Sequence, residues 1–312
     1  MLDGFRGSGF VYLKNHGISE DTVAKVFAQS ASFFSRPPEE KDQLAWTTPQ
    51  ANRGYAAPGR EKTSLITDAD RVEKLIAESP DLKETFEIGR ENVPGHPNQW
   101  PDKIDADGAK FTETMQGFFG TCQNLHMKVM SSIALGMGLD ESYFDEYTDG
   151  ADNNLRLLHY PSQHRSVFKQ GKNVDPRTGS ITLLFQDGKN GGLQVKSPQG
   201  TFIDAPPIPG TIVINSGDLL ARWANDTIRS TEHQVVEPPH SEDVEVYPAR
   251  YSIAYFCNPN FEKFIDAIPG TFEEGKSAEE GGKKYPGVNS GDYLVQRLAA
   301  TFKGVPRYQT AY

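Results

Sequence analysis

The chain has 312 residues, a formal net charge of −10, 24% charged and 11% aromatic residues; this is an ordinary globular composition, long enough for one sizeable core with helical additions. The acidic balance argues against nucleic acid as a main partner, and no apolar run approaches the roughly 20 residues of a membrane span. The N-terminus MLDGFRGSGF lacks a basic segment followed by an apolar one, so no signal peptide is expected, and Cys122 and Cys257 form no CxxC, which fits a reduced, cytoplasmic setting.

In chain order, Gly9 to Lys14 within GFVYLKNHGI reads as a strand that ends in a turn at Asn15-His16-Gly17. Ser19 has the character of an N-cap for a helix to about Phe34, with Val23, Val26, Phe27 and Ala31 on one stripe. Pro37-Pro38-Glu39-Glu40-Lys41 opens a further helix, proline in its first turn and acids at its positive end. Arg53-Gly54-Tyr55 reads as a turn and Glu84 to Gly89 as an extended segment, with packing and substrate contact as the alternatives for both. A long helix is expected from Ala106 to Leu135, since Phe111, Met115, Phe118, Cys122, Leu125 and Val129 recur at helical spacing and Gly136 and Gly138 close it. His126, on that helix, is expected to be a packed or surface residue rather than a ligand.

Asn154 to Tyr160, NLRLLHY, reads as a strand with Arg156, Leu158 and Tyr160 on one face and His159 on the other. Ser162 to Thr178 is polar and reads as a loop; it holds His164, and Asp175-Pro176 favours a turn. From Gly179 to Ser252 the runs ITLLF, LQV, TFI, TIVI, HQVV and RYSIAYF alternate with the breaks GKNGG, SPQG, PPIPG and NSGD, the spacing of an all-β sandwich or barrel. This stretch offers one metal-ligand candidate, His233. Arg250 and Ser252 share a strand face, and a guanidinium fork beside a hydroxyl suits a small carboxylate. Thr271 to Asn289 reads as a mobile Gly/Lys/Glu-rich loop, and Ser290 to Thr301 as a short helix.

GSITLLFQD, GGLQV, PGTIVINSGDLL, STEHQVV and RYSIAYF, in that order, resemble the core of the iron(II)/2-oxoglutarate-dependent dioxygenases of the isopenicillin N synthase-like branch. GFVYLKNHGI, PPEEK, RGY and KETFEIG resemble that family's N-terminal region. The resemblance implies an α+β chain with a double-stranded β-helix (jelly roll) core: residues 1–150 as an N-terminal helical region with a short strand, 151–265 as the core, 266–312 as a C-terminal extension. It implies an oxidoreductase that uses iron(II) and 2-oxoglutarate to hydroxylate or desaturate a small organic metabolite. Arg250, Ser252 and Tyr160 are then the 2-oxoglutarate contacts, and Phe185, with Trp223 and Asn225 of RWAND, the substrate-pocket residues; a plain core role is the alternative for Tyr160, Phe185, Trp223 and Asn225.

One motif departs. The family's His-x-Asp should sit just before Gly179, where this chain reads Asp175-Pro176-Arg177-Thr178. Arg177 has no acceptor to offer and cannot replace a carboxylate ligand; Asp175 remains as a carboxylate candidate beside His233. Two readings follow: an active oxygenase, or a silent member that keeps the carboxylate pocket and serves as a ligand-binding module or as a subunit of a homo- or hetero-oligomer.

Overall fold

A computed structural model describes residues 1–59, 83–164, 173–174, 179–188, 191–236 and 245–299. Asp175, Arg177 and the tail beyond Ala299 lie outside the described residues.

The helices are α1 (Leu2–Gly7), α2 (Glu20–Phe34), α3 (Pro38–Asp42), α4 (Ala106–Gly136), α5 (Asp145–Thr148), α6 (Asp218–Trp223) and α7 (Ser290–Ala299). Ser19 caps α2 as expected, its hydroxyl accepting from the Thr22 amide at 3.1 Å. Asp105 caps α4, accepting from the Gly108 amide at 2.6 Å. No helix among the described residues is long and apolar enough to cross a membrane.

The strands are β1 (Phe10–Lys14), β2 (Gly54–Ala56), β3 (Glu84–Gly89), β4 (Asn154–Tyr160), β5 (Gln163–His164), β6 (Asn173–Val174), β7 (Ile181–Gln186), β8 (Leu193–Lys196), β9 (Phe202–Asp204), β10 (Thr211–Ser216), β11 (His233–Val235), β12 (Val246–Tyr247), β13 (Arg250–Cys257), β14 (Phe264–Ile265) and β15 (Val288–Asn289). Seven form the major sheet in the order β1-β10-β7-β13-β4-β3-β2, and four form the facing sheet in the order β6-β11-β8-β9. Two antiparallel sheets with non-consecutive neighbours make the jelly roll the sequence implies. The boundary expected at residue 150 does not divide the sheet, because β1, β2 and β3 precede it and pair within it. Met1 to Ser8 carries no strand pattern, and α1 there leads into β1 at the sheet's edge.

The main apolar core lies on the helix side of the major sheet. Phe86, Leu155, Leu157, Leu183, Phe185, Ile253 and Tyr255 point there and meet Phe33 of α2 and Met115, Phe118 and Cys122 of α4. The side facing the second sheet holds only a small apolar cluster, Leu193, Val195, Ala205 and Val213. Its other buried positions include Leu158 and Ala254 beside the polar Glu87, Arg156, Asn215, Arg250 and Ser252. Buried polar groups are the informative exceptions in a protein interior, so the strands separate a packing face from a chemical one.

Candidate active site

The register of β13 builds the chemical face. Arg250 pairs with Tyr160 and Ser252 with Leu158 on one side; Ser252 pairs with Gln186 and Phe256 with Thr182 on the other. Directly paired residues share a face, so Tyr160, Arg250, Ser252 and Phe256 all look toward the second sheet. His233 of β11 closes the opposite wall, and these five residues line one cavity with Phe10 and Asn215.

Arg250 is only 6% exposed. Its guanidinium carbon lies 5.1 Å from the centre of the Tyr160 ring, and its Nε has no hydrogen-bond partner among the described residues. A buried cation in that state is expensive unless an anion meets it. Ser252, also buried, sits two residues along the same face. His233 is half-buried, its ring 5.4 Å from that of Phe10 and edge-on at 72°. The cavity therefore offers a fixed cation, a hydroxyl, an aromatic flank and one imidazole.

A larger cleft, 830 Å³, opens between α2 and the ends of β7 and β10, with His16, Glu20 and Asp187 among its lining. The chemistry favours the smaller jelly-roll cavity, where the buried cation and the imidazole converge.

Residues 1–103 match the family described as non-haem dioxygenase in morphine synthesis, N-terminal, and residues 151–259 match the 2OG-Fe(II) oxygenase superfamily. The chain is 34% identical to the 2-oxoglutarate-Fe(II) type oxidoreductase ppzD of Metarhizium rileyi over 97% of this chain and 85% of that protein. This chain belongs to the 2OG-Fe(II) oxygenase superfamily. A full-length Neurospora crassa protein, solved in complex with alpha-KG and thymine, is 56% identical, with a TM-score of 0.85 over 96% of this chain and 89% of that one. The complex of the same Neurospora protein with alpha-KG and 5-formyluracil gives 52% and 0.83 over 96% and 88%.

Membership brings iron(II) and 2-oxoglutarate as cofactor and cosubstrate, and oxidation of a small organic metabolite as the activity. The cavity is small, about 40 Å³, but its charge suits a carboxylate, since Arg250 lines it as a buried cation whose Nε has no partner among the described residues. For iron, His233 is the single imidazole on its wall, and no group of three His, Cys, Asp or Glu forms a metal centre among the described residues. His164 is exposed on β5, paired to β12. His126 is buried in α4, where burial pushes its pKa down to about 3; it is packed.

None of the three expected pocket residues lines the jelly-roll cavity, although Phe185 is among the lining of the larger cleft. Phe185 pairs with Ile253, a helix-side position, and meets Phe118 at 5.1 Å between ring centres. Trp223 lies on α6, its ring centre 4.9 Å from that of Phe144 and 4.8 Å from that of Tyr147. Asn225 follows α6 with φ +48°. It donates to the carbonyls of Thr271 at 3.0 Å and Gly282 at 3.2 Å, and accepts from the Lys284 amide at 2.8 Å. The 271–289 segment, expected as a mobile loop, is thus anchored to the end of α6. Phe185→Leu is expected to lower stability by about 1 kcal/mol, as a volume-reducing core swap, and to leave 2-oxoglutarate affinity unchanged; urea denaturation and calorimetry on one preparation check both.

Sequence reasoning missed Phe256 on this face, and the pairing of Arg156, which alternation had placed there. Phe256 is half-buried on the cavity wall, although period-two alternation from Arg250 and Ser252 points to it. Beside it, the guanidinium carbon of Arg156 lies 5.4 Å from the Phe256 ring centre, and Arg156 is ion-paired to Glu87 at 2.5 Å.

Proposed function

We propose that this oxygenase holds 2-oxoglutarate between Arg250, Ser252 and Tyr160 and oxidises a small planar heterocycle of the pyrimidine-base kind at the Phe256 end of the cavity. The buried Nε of Arg250, without a partner among the described residues, carries the first half of this reading. A planar guanidinium fork takes a carboxylate in two parallel hydrogen bonds, the Ser252 hydroxyl lies on the same face, and the Tyr160 ring flanks the cation. Such a clamp fixes one end of a dicarboxylate and points the other toward His233. Iron(II), when bound, supplies the oxygen chemistry; His233 is the ligand the described residues offer it. We assign Asp175 no role beyond that of candidate carboxylate.

The substrate class rests on the Neurospora crassa protein, whose structures contain thymine and 5-formyluracil. In this chain Phe256 supplies a ring face for stacking, and Arg156 a planar donor group held by Glu87. A flat ring with carbonyl acceptors at its edge matches that pair. Two buried free thiols, Cys122 and Cys257, and the acidic balance accord with a cytoplasmic enzyme of small molecules rather than nucleic acid. Size-exclusion chromatography decides between monomer and oligomer.

The test is turnover of thymine with iron(II) and 2-oxoglutarate, read as thymine-dependent succinate and as a thymine product heavier by one oxygen atom. Both are expected. 2-Oxoglutarate binding without thymine-stimulated succinate would remove the substrate class, and binding without any succinate would return the chain to a ligand-binding role. Phe256→Ala is expected to raise the KM for thymine on the order of 10-fold, the loss of about 1–3 kcal/mol of stacking, while 2-oxoglutarate affinity stays within twofold.

A further inference from the structure

Behind the cosubstrate strands, on the helix side of the sheet, lies a buried polar cluster that the chemistry of the cavity does not use. Glu84 of β3 is its hub. One carboxylate oxygen accepts from His159 Nδ1 at 2.7 Å. The other accepts from Lys41 Nζ at 2.8 Å and from the Tyr55 hydroxyl. A carboxylate only accepts, so His159 carries its hydrogen on Nδ1. Lys41 also donates to the Phe34 carbonyl at 3.0 Å, which ties the cluster to the end of α2. The side chains of Lys41 and Glu84 are 8% and 6% exposed. Burial pushes the Glu84 carboxyl up, but the bonds from His159, Lys41 and Tyr55 outweigh it and hold the group below its ordinary value.

A buried ion pair adds little net stability over an apolar replacement, and what it adds is a fixed arrangement. Here the fixed object is the His159 ring. Tyr251 lies flat against it, ring centres 4.6 Å apart and planes at 10°. The Tyr251 amide is held in turn by Asp187, just past β7, at 3.1 Å. His159 and Tyr251 are register partners across β4 and β13, and Glu84 pairs with His159 across β3. Their chain neighbours are the cavity residues: Tyr160 follows His159, and Arg250 and Ser252 flank Tyr251. Successive side chains of a strand point to opposite faces. A slip or tilt at the stack therefore appears at once on the cavity side, as displacement of the Tyr160 ring from the Arg250 guanidinium.

We propose that the Glu84–His159–Tyr251 stack is the positioning device of the cosubstrate pocket, fixing from behind the sheet the relation between Tyr160 on one strand and Arg250 and Ser252 on the next. The proposal rests on the reading of that cavity as the 2-oxoglutarate site. It names positioning residues, which lie outside the lining of that cavity.

The test uses the full chain and calorimetric titration with 2-oxoglutarate, with and without iron(II), alongside the melting temperature. Tyr251 is neutral and half-buried, so its variants keep the buried ion pair. Tyr251→Leu removes the stack and is expected to weaken 2-oxoglutarate binding ~10-fold, about 1.4 kcal/mol. Tyr251→Phe keeps the ring and is expected to bind within twofold of the parent. His159→Leu is expected to follow Tyr251→Leu, and the KM for the oxidised substrate is expected to hold in all three. A purely structural stack would lower the melting temperature and leave the dissociation constant alone, and that result in Tyr251→Leu overturns the proposal. So does equal weakening in Tyr251→Phe, which would place the effect in the hydroxyl. Arg250→Ala separates the two levels. If it loses binding while Tyr251→Leu keeps it, only the positioning device fails. If Arg250→Ala binds as the parent does, the cavity has been misread and the device falls with it.

Discussion

Arg250→Ala is expected to weaken 2-oxoglutarate binding by at least ~100-fold, about 3 kcal/mol, the usual scale for truncating one side of a buried charge pair. Arg250→Lys should recover part of it and still fall short ~10-fold, because an ammonium is a point charge where the guanidinium is a fork. Stability should move the other way. Without its ligand the parent buries a cation whose Nε has no partner among the described residues, so removing it should leave the melting temperature level or higher. A folded protein held slightly below its optimum by a group needed for binding is the signature of a ligand site. Calorimetry and thermal unfolding on the same two variants check it. Unchanged affinity in Arg250→Ala would mean that another group takes the carboxylate.

The alternation that made Arg250 and Ser252 neighbours was legible in the sequence, as was the two-faced strand from Asn154 to Tyr160, because period two is a local property. Phe185 was not. Within ITLLFQ the choice of face depends on register against β13, where Ser252 meets Gln186, and register is a pairing between distant segments. That pairing sends Phe185 to the helices and leaves Thr182 and Leu184 on the cavity. Trp223 and Asn225 failed for another reason. Leu219, Leu220 and Trp223, all buried, follow the Gly217 turn at helical spacing, and the family resemblance of RWAND overrode that local signal. Alternation put Arg156 on the face of Tyr160, but its pairing with Glu87 was not legible, because it joins β3 to β4 across distant segments.

That pair carries the other large expected effect. The Glu87 side chain is 0% exposed and that of Arg156 7%. Arg156→Met strands a carboxylate in the interior and is expected to destabilise the fold by about 3–5 kcal/mol, measured by urea denaturation. Arg53 is a further cation coupled to Glu87; a loss under about 1 kcal/mol would show that Arg53 takes over as counter-charge. Replacing both partners, Arg156→Met with Glu87→Met, removes both desolvation penalties and is expected to return most of the loss. If stability were the pair's purpose, the double variant would then be a full replacement. The Arg156 guanidinium instead lies against the Phe256 ring, on the cavity wall where the substrate ring is proposed to stack. The double variant is therefore expected to fold, to bind 2-oxoglutarate within twofold of the parent, and to lose thymine-stimulated succinate formation. Retained stimulation would make the pair a structural feature of the jelly roll and move the substrate's polar contacts elsewhere on the wall.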